Sequence, residues 1–306
     1  MTPFRIPSQE RDVPIEVARK AIDVSDDFGV LEGLAFDRTG DLWFVDCPHA
    51  RVMRADVDAS SCEVVFTIPD GGLPSAIKFH KDGSLYITCV ASDHGPGIFV
   101  MSFTGELQEV IPVPNGRMVD DMVFASDGSI FYTDLAGSAA NPSSGVYHIS
   151  SDRMSTTTVM SGMIASNGIA LSPDEHLLWV TEYGRGRLVC VELDGDLHAA
   201  PACGSWVPYH FCGLEGPDSM CADSAGNLYV ALCGQARFLG LDEHAIPVRQ
   251  WLLPEHDAGL MNKSTHPQLR PGTDELWLCA SDTRTGHSAL YVGHALADPL
   301  PTYGLR

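Results

Sequence analysis

One pattern recurs six times along this 306-residue chain and limits the folds that it can adopt. Each copy holds two short apolar runs separated by a polar turn, as expected for a β-hairpin. Successive copies start 43, 45, 47, 51 and 48 residues apart. The copies are EGLAFDRTGDLWFVD from Glu32, SAIKFHKDGSLYITC from Ser75, DDMVFASDGSIFYTD from Asp120, NGIALSPDEHLLWVTE from Asn167, DSMCADSAGNLYVAL from Asp218 and HPQLRPGTDELWLCA from His266.

A repeat of about 45 residues is typical of the blades of a β-propeller. Most copies are followed by a third strand-like segment, such as GIFVMSF or RLVCVEL, and several by a fourth, such as CEVVFTI. No segment keeps a helical period beyond the short PIEVARKAI near the N-terminus. The sequence therefore predicts an all-β fold, a six-bladed β-propeller formed as a single domain by residues 1–306. Residues 1–30 are candidates for an added strand that closes the ring.

Composition narrows the classes of function. The chain is 44% apolar, and it has no run of the roughly 18 apolar residues that a membrane span needs. The first 20 residues contain no apolar signal core, and the nine cysteines form no C-x-x-C pair. We therefore expect a cytoplasmic protein without a disulfide framework or a membrane partner. The net charge of -21 would repel phosphate backbones, so nucleic acid is not an expected partner.

The first residue of every hairpin copy is polar and should lie at the start of an innermost strand. These six residues should form a ring around one end of the central channel: Glu32, Ser75, Asp120, Asn167, Asp218 and His266. Three carboxylates in a narrow ring repel one another unless a cation lies between them. Oxygen ligands and the lack of a His/Cys cluster argue against zinc, and a wide ring favours calcium over magnesium. We expect one divalent ion, with calcium preferred.

The sequence predicts two roles for the residues of this region, metal binding and substrate contact. The candidate metal ligands are Glu32, Asp120, Asn167 and Asp218. Asp121 could compete with its neighbour Asp120 for the metal. The candidates to contact substrate are Ser75, Asp121, Ser219 and His266, although Ser75 and His266 could also only fill the ring.

Several longer segments resemble the signature segments of one family of six-bladed propellers. LEGLAFD, ASNGIALSPDEHLLWVTE and EGPDSMCADSAGNLYVA are similar to those of the senescence marker protein / gluconolactonase / luciferin-regenerating enzyme family. SAIKFHKDGSLYI, VDDMVFASDGSIFYTDLAG and STHPQLRPGTDEL resemble most closely its staphylococcal drug-responsive lactonase branch. The similarity extends over essentially the whole chain.

The resemblance implies calcium-dependent hydrolysis of lactones. The family's metal-binding glutamate falls on Glu32, its asparagine on Asn167 and its metal-binding, catalytic aspartate on Asp218. In the drug-responsive lactonase branch, a further metal-site aspartate falls on Asp120. That branch has a second, structural calcium site, but the corresponding segments here, SDHGPG and PVPNGRM, lack the matching acidic residue. The prediction is therefore one catalytic calcium, and the departure puts the second in doubt.

The expected reaction is attack of water on the carbonyl carbon of a small aromatic, alkyl or sugar lactone. The metal would serve as Lewis acid and Asp218 as general base, and direct attack by Asp218 is the alternative route. Two other functions stay open: a phosphotriesterase of the diisopropyl fluorophosphatase type at the same metal, and a non-catalytic binding propeller. No G-x-S-x-G, P-loop or H-E-x-x-H motif points elsewhere.

Overall fold

The computed structural model describes residues 3–114, 116–199 and 204–306, and in them the chain folds into a six-bladed β-propeller. Each hairpin copy forms the two inner strands of a blade, as the repeat predicts. The chain first forms a short 3-10 helix, Ser8–Glu10, and two strands, β1 (Ile15–Val17) and β2 (Arg19–Ser25). None of the helices in the described part of the chain reaches the length and hydrophobicity of a membrane span.

The blades follow one another along the chain, and in each the strands run antiparallel from the central channel outward. Blade 1 contains β3 (Leu31–Phe36), β4 (Leu42–Asp46), β5 (Arg51–Asp56) and β6 (Ser61–Thr67). Blade 2 contains β7 (Leu73–Phe79), β8 (Leu85–Ala91), β9 (Gly97–Met101) and β10 (Leu107–Pro112). Blade 3 contains β11 (Val119–Phe124), β12 (Ile130–Asp134), β13 (Ser144–Ile149) and β14 (Thr156–Met163).

The second half of the propeller repeats this arrangement. Blade 4 contains β15 (Ser166–Leu171), β16 (Leu177–Glu182), β17 (Arg187–Glu192) and β18 (Ser205–His210). Blade 5 contains β19 (Pro217–Ala222), β20 (Leu228–Leu232), β21 (Arg237–Leu241) and β22 (Pro247–Leu252). Blade 6 contains β23 (Lys263–Leu269), β24 (Glu275–Ser281) and β25 (Ser288–His294). Further 3-10 helices are Cys47–His49, Tyr183–Arg185, His256–Ala258 and Tyr303–Leu305.

The N-terminal strands complete the last two blades. Strand β2 pairs antiparallel with β25 and is the fourth, outer strand of blade 6, whereas β1 pairs in parallel with β22 of blade 5. A buried ion pair between Glu10 and Arg237 fixes the segment that precedes these strands. The ring is thus closed by hydrogen bonds between the two ends of the chain.

The hydrophobic core lies between the blades. The described residues form six clusters, one at each interface between neighbouring blades. At the interface between blades 1 and 2, for example, Trp43 meets Phe79 edge-on with ring centroids 6.0 Å apart. Between blades 6 and 1, Phe36 meets Trp277 in the same way at 6.5 Å. This packing fixes the innermost strands around the channel.

The last eight residues, 299–306, cross the lower end of the channel, where the innermost strands finish. We call this segment the C-terminal strap. Pro299 bridges to Asp223 of blade 5, and the carbonyl oxygen of Gly304 accepts a hydrogen bond from Arg38 of blade 1 at 2.8 Å. Tyr303 stacks on Phe124 of blade 3 with ring centroids 5.1 Å apart. The strap encloses a cavity of about 100 Å³, so the channel opens to solvent mainly at its upper end.

Candidate metal and catalytic site

The strand pairing brings six residues to the same register at the upper end of the channel. In every blade the last residue of the innermost strand pairs with the first or second residue of the next strand, as Phe36 pairs with Leu42. The residues four positions before these last residues are Glu32, Ser75, Asp120, Asn167, Asp218 and Thr265. We call them the upper ring. All six line a pocket of about 500 Å³.

His266 lies outside this ring, which differs from the expectation based on sequence. Leu269 pairs with Leu276, and counting back four residues from Leu269 reaches Thr265. The turn of this hairpin has six residues between its paired ends, whereas the turn between Phe36 and Leu42 has five. The longer turn shifts the alignment by one residue, and the polar sequence HPQL offers no apolar alternation that would reveal the shift.

Neighbouring blades hold the backbone of the ring. Hydroxyl groups on the second strand of one blade donate to the carbonyl oxygen of the ring residue in the next blade. Thr88 donates to Asp120 at 2.6 Å, and Thr133 donates to Asn167 in the same way. Thr181 donates to Asp218 at 2.7 Å. Glu32 directly precedes a shift in strand register, and each of the other five ring residues lies within such a shift, a bulge that releases it from the regular ladder.

A glycine permits the close approach of two innermost strands at this bulge. Gly33, which follows Glu32, has a φ of +64°, and a Cβ atom there would lie 2.6 Å from Cα of Ala76. A side chain would therefore force blades 1 and 2 apart directly beneath the ring. This is the physical reason for the Glu-Gly pair in the first hairpin copy.

Two of the three ring carboxylates are buried and Glu32 is partly buried, and the three are close enough to repel one another. Asp120 and Asp218 are 9% and 6% exposed. Burial, together with the charges of Asp218 and Asp120, raises the pKa of Glu32 well above its usual range. Burial and the charge of Asp218 do the same to the pKa of Asp120, and burial raises the pKa of Asp218 to about 6. A bound cation would offset the repulsion among these carboxylates and favour their ionised forms.

The donor set fits a calcium ion. In the described part of the chain, Oε2 of Glu32 is buried and has no hydrogen-bond partner, which is costly unless a ligand satisfies it. Carboxylate oxygens from Glu32, Asp120 and Asp218 and the amide oxygen of Asn167 are hard ligands of the type that calcium prefers. The residues that would hold a metal are therefore these four.

A second acidic cluster lies near the upper rim and does not offer a comparable site. Asp27, Asp46 and His49 bring one ligand atom each within 4.8 Å of one another. The guanidinium of Arg51 already contacts two of them, with Nη1 at 2.8 Å from Asp27 and 3.4 Å from Asp46. The negative charge of this cluster is thus paired with a protein cation, unlike that of the ring.

Three of the predicted substrate contacts lie below the ring. Asp121 is 1% exposed and pairs with Lys78, whose Nζ lies 3.3 Å from Oδ1. Ser219 is buried, and His266 is fully buried with Nδ1 3.8 Å from Oε2 of Glu32. None of the three belongs to the described lining of the pocket, because each follows its ring residue by one position. Ser75 does line the pocket, and its hydroxyl donates to the carbonyl oxygen of Asp120 at 2.7 Å.

The pocket contains functional candidates that sequence reasoning missed. These are Thr265, Tyr183, Cys233 and Lys263. Nζ of Lys263 lies 2.5 Å from Oε2 of Glu215, and the hydroxyl of Tyr183 donates to the same oxygen at 3.1 Å. Cys233 directly follows Leu232, the last residue of β20. Its position after a second strand was the available signal.

The pocket walls are mostly apolar above a polar floor. The apolar lining residues are Val30, Pro48, Leu73, Pro74, Val90, Leu135 and Ala165. The upper ring forms the floor. A small molecule bound here would place a polar group against the ring while its remaining atoms contact the walls.

Comparison with known proteins agrees with this architecture. Residues 30–259 match the model of the SMP-30/Gluconolactonase/LRE-like region. The chain is 38% identical over 301 residues to lactonase drp35 of Staphylococcus haemolyticus, covering 96% of this chain and 92% of the relative. It is also 38% identical over 288 residues to lactonase drp35 of Staphylococcus aureus strain USA300, covering 92% and 86%.

Solved structures share the fold at lower sequence identity. A luciferin-regenerating enzyme superposes with a TM-score of 0.74 at 17% identity, covering 93% of this chain and 98% of that chain. Regucalcin of Agrobacterium tumefaciens, described as a calcium-binding protein, superposes with a TM-score of 0.74 at 18% identity, covering 94% and 98%. The family resemblance expected from the sequence is confirmed, and the chain belongs to the SMP-30/gluconolactonase/LRE-like family.

Proposed function

We propose that this protein is a calcium-dependent lactonase that hydrolyses small lactones at the upper end of the channel. The single observation that carries the proposal is the convergence of three carboxylates, two of them buried and one partly buried, and one buried amide on the floor of a pocket. The names of the staphylococcal relatives support the reaction class, since both are lactonases. The calcium-binding description of regucalcin supports the choice of metal.

Glu32, Asp120, Asn167 and Asp218 would hold the metal. A bound calcium would supply Lewis acidity toward the lactone carbonyl and stabilise the charge that develops on its oxygen. Glu32 and Asp120 contribute negative charge. Asn167 contributes a neutral oxygen and lies against the neighbouring blade, where Thr133 holds its backbone.

Asp218 is the proposed general base. Its carboxylate lies on the pocket floor and would take a proton from the attacking water, then return it to the alkoxide that leaves when the ring opens. A pKa of about 6 in the metal-free protein leaves it largely ionised at neutral pH. Direct attack of Asp218 on the carbonyl carbon is the alternative microscopic route.

The proposal is tested by following acid release from a panel of lactones with a pH indicator. Dihydrocoumarin, a γ-lactone and a sugar lactone would be offered to chelator-treated protein with and without calcium. We expect activity that calcium restores and that Asp218→Asn abolishes. A phosphotriester is included because a metal that polarises C=O can also polarise P=O. Turnover of the phosphotriester alone, or calcium binding without any turnover, would overturn the lactonase proposal.

A further inference from the structure

The carboxylate of Asp218 has an unusual neighbour on the pocket wall. Strand β20 ends at Leu232, which pairs with Pro217, the residue before Asp218. The next residue, Cys233, lies in the turn that follows β20, and its side chain reaches the carboxylate of Asp218. Its Sγ lies 3.0 Å from Oδ2 of Asp218, and the thiol is the only one of the two groups that can donate a hydrogen when the carboxylate is ionised.

This contact is enclosed on the protein side. Cys233 is 2% exposed and Asp218 6% exposed, although both residues line the pocket. The backbone carbonyl of Asp218 is already held by Thr181 at 2.7 Å. The backbone and one carboxylate oxygen of Asp218 are thus fixed by two separate donors, Thr181 on β16 and Cys233 in the turn after β20.

A thiol is a weak hydrogen-bond donor with one hydrogen to give. Its bond restricts rotation of the carboxylate about χ2 but withdraws little electron density from it. Cys233 contacts Oδ2 alone and does not occupy the second oxygen, Oδ1. A strong cationic donor at this place would fix the group equally well but would compete with the metal for its charge. The nearby cation Lys263 is instead paired with Glu215 at 2.5 Å.

We propose that Cys233 is a positioning residue, whose thiol orients the carboxylate of Asp218 for metal binding and for proton transfer. The inference rests on the proposed function in so far as it concerns turnover. It goes beyond that function by assigning a role to a residue outside the upper ring. The competing explanation is that Cys233 only fills space, as small buried cysteines often do.

Two variants separate these explanations. Cys233→Ser keeps a donor and changes the volume little, whereas Cys233→Ala removes the donor. Cys89→Ala is the matched control, because Cys89 is a fully buried thiol on β8 outside the pocket lining. The readouts are the dissociation constant of calcium, kcat and KM for the best lactone, the thermal midpoint of the metal-free protein, and the crystal structure of the metal-free variants.

If Cys233 positions Asp218, Cys233→Ala lowers kcat about tenfold or more and weakens calcium binding, with KM changed less, because small displacements of a reacting group are costly. Cys233→Ser retains most of both properties, and Cys89→Ala lowers only the thermal midpoint. In crystals of the metal-free Cys233→Ala variant, the Asp218 carboxylate is rotated from its wild-type orientation.

Other results would overturn the inference. Equal losses in the Ser and Ala variants would assign Cys233 a space-filling role, as would an unmoved Asp218 in the Ala variant. A wild-type protein that turns over no lactone would count against the proposed function and not against the contact. In that case calcium affinity and the crystallographic orientation of Asp218 still decide whether the thiol positions the carboxylate.

Discussion

The hydroxyl of Thr181 in blade 4 donates a hydrogen bond to the carbonyl oxygen of Asp218 in blade 5 at 2.7 Å. Thr88 makes the same bond to Asp120 across the interface between blades 2 and 3. These threonines occupy equivalent places on the second strands of their blades. The backbone of these two ring residues is therefore positioned in part by the preceding blade.

Replacing Thr181 by Val should weaken both the fold and the site. The change leaves a buried carbonyl oxygen without its donor, which costs about 1–3 kcal/mol of unfolding free energy. It also frees the backbone of Asp218, so calcium affinity should fall. Urea unfolding and calcium titration measure the two effects. Thr157→Val, at an exposed position on the outer strand β14, is the control and should change neither.

In the metal-free protein, the contribution of Asp218 to stability should fall as the pH rises from 5 to 7. The pKa of Asp218 in the folded state is about 6, above its ordinary value of 3.8, so the folded state binds more protons in this interval. Stability from this group is present at low pH and is lost as the pH passes through 6, by roughly 1 kcal/mol. Glu32 and Asp120 act in the same direction.

Urea unfolding of chelated protein at several pH values tests this dependence. The midpoint of the wild type should fall relative to that of Asp218→Asn between pH 5 and 7, because the variant lacks one titrating group. Added calcium should reverse the trend, since it binds the ionised carboxylates. A wild-type midpoint that does not fall relative to that of Asp218→Asn would contradict a raised pKa of Asp218 in the folded protein.

Replacing Lys78 by Met should destabilise the fold strongly. Asp121 is 1% exposed, and its Oδ1 lies 3.3 Å from Nζ of Lys78. Removing the cation leaves a buried carboxylate unpaired, which costs about 3–5 kcal/mol. Arg54→Met breaks the exposed pair with Glu63 and should cost about 1 kcal/mol or less. Chemical denaturation compares the two, and similar losses would contradict a buried role for Lys78.

Deleting the C-terminal strap should open the lower end of the channel. Cys221 lines the cavity behind the strap, so its thiol should react faster with a small thiol reagent in a variant that ends at Asp298. The thermal midpoint should also fall, because Tyr303 loses its stacking on Phe124. Mass spectrometry of the labelled Cys221 peptide gives the rate, and the exposed Cys212 serves as internal reference. An unchanged rate at Cys221 would contradict the sealing role.

The repeat predicted the fold because its physical basis is local. Hairpins of alternating apolar character at a fixed spacing leave few architectures, and the six blades follow from them. The same reasoning predicted that five ring residues share one register, and the strand pairing confirms it. These residues are Glu32, Ser75, Asp120, Asn167 and Asp218. The sequence pattern assigned His266 to the ring position that Thr265 occupies. The turn between Leu269 and Leu276 is one residue longer than that of blade 1, and the polar segment around it gives no apolar pattern that would show the difference.

Other features depend on contacts between residues far apart in the chain. Cys233 and Lys263 reach the pocket through loops whose course no repeat specifies. The pairing of Lys78 with Asp121 depends on how blades 2 and 3 meet at the channel. The sealing of the lower end depends on where the last eight residues lie. Sequence pattern carries little information about such contacts, since they arise from the assembled propeller.

The pairing of β2 with β25 also sets an order of events during synthesis. Arg19 and Val292, which are partners in that sheet, are separated by most of the chain. During translation β2 therefore remains unpaired while the first five blades are synthesised and pack against one another. Such an exposed edge is open to pairing with another chain, and closing so long a loop is slow. Molecular chaperones would matter most to this protein in that interval, before the ring is shut.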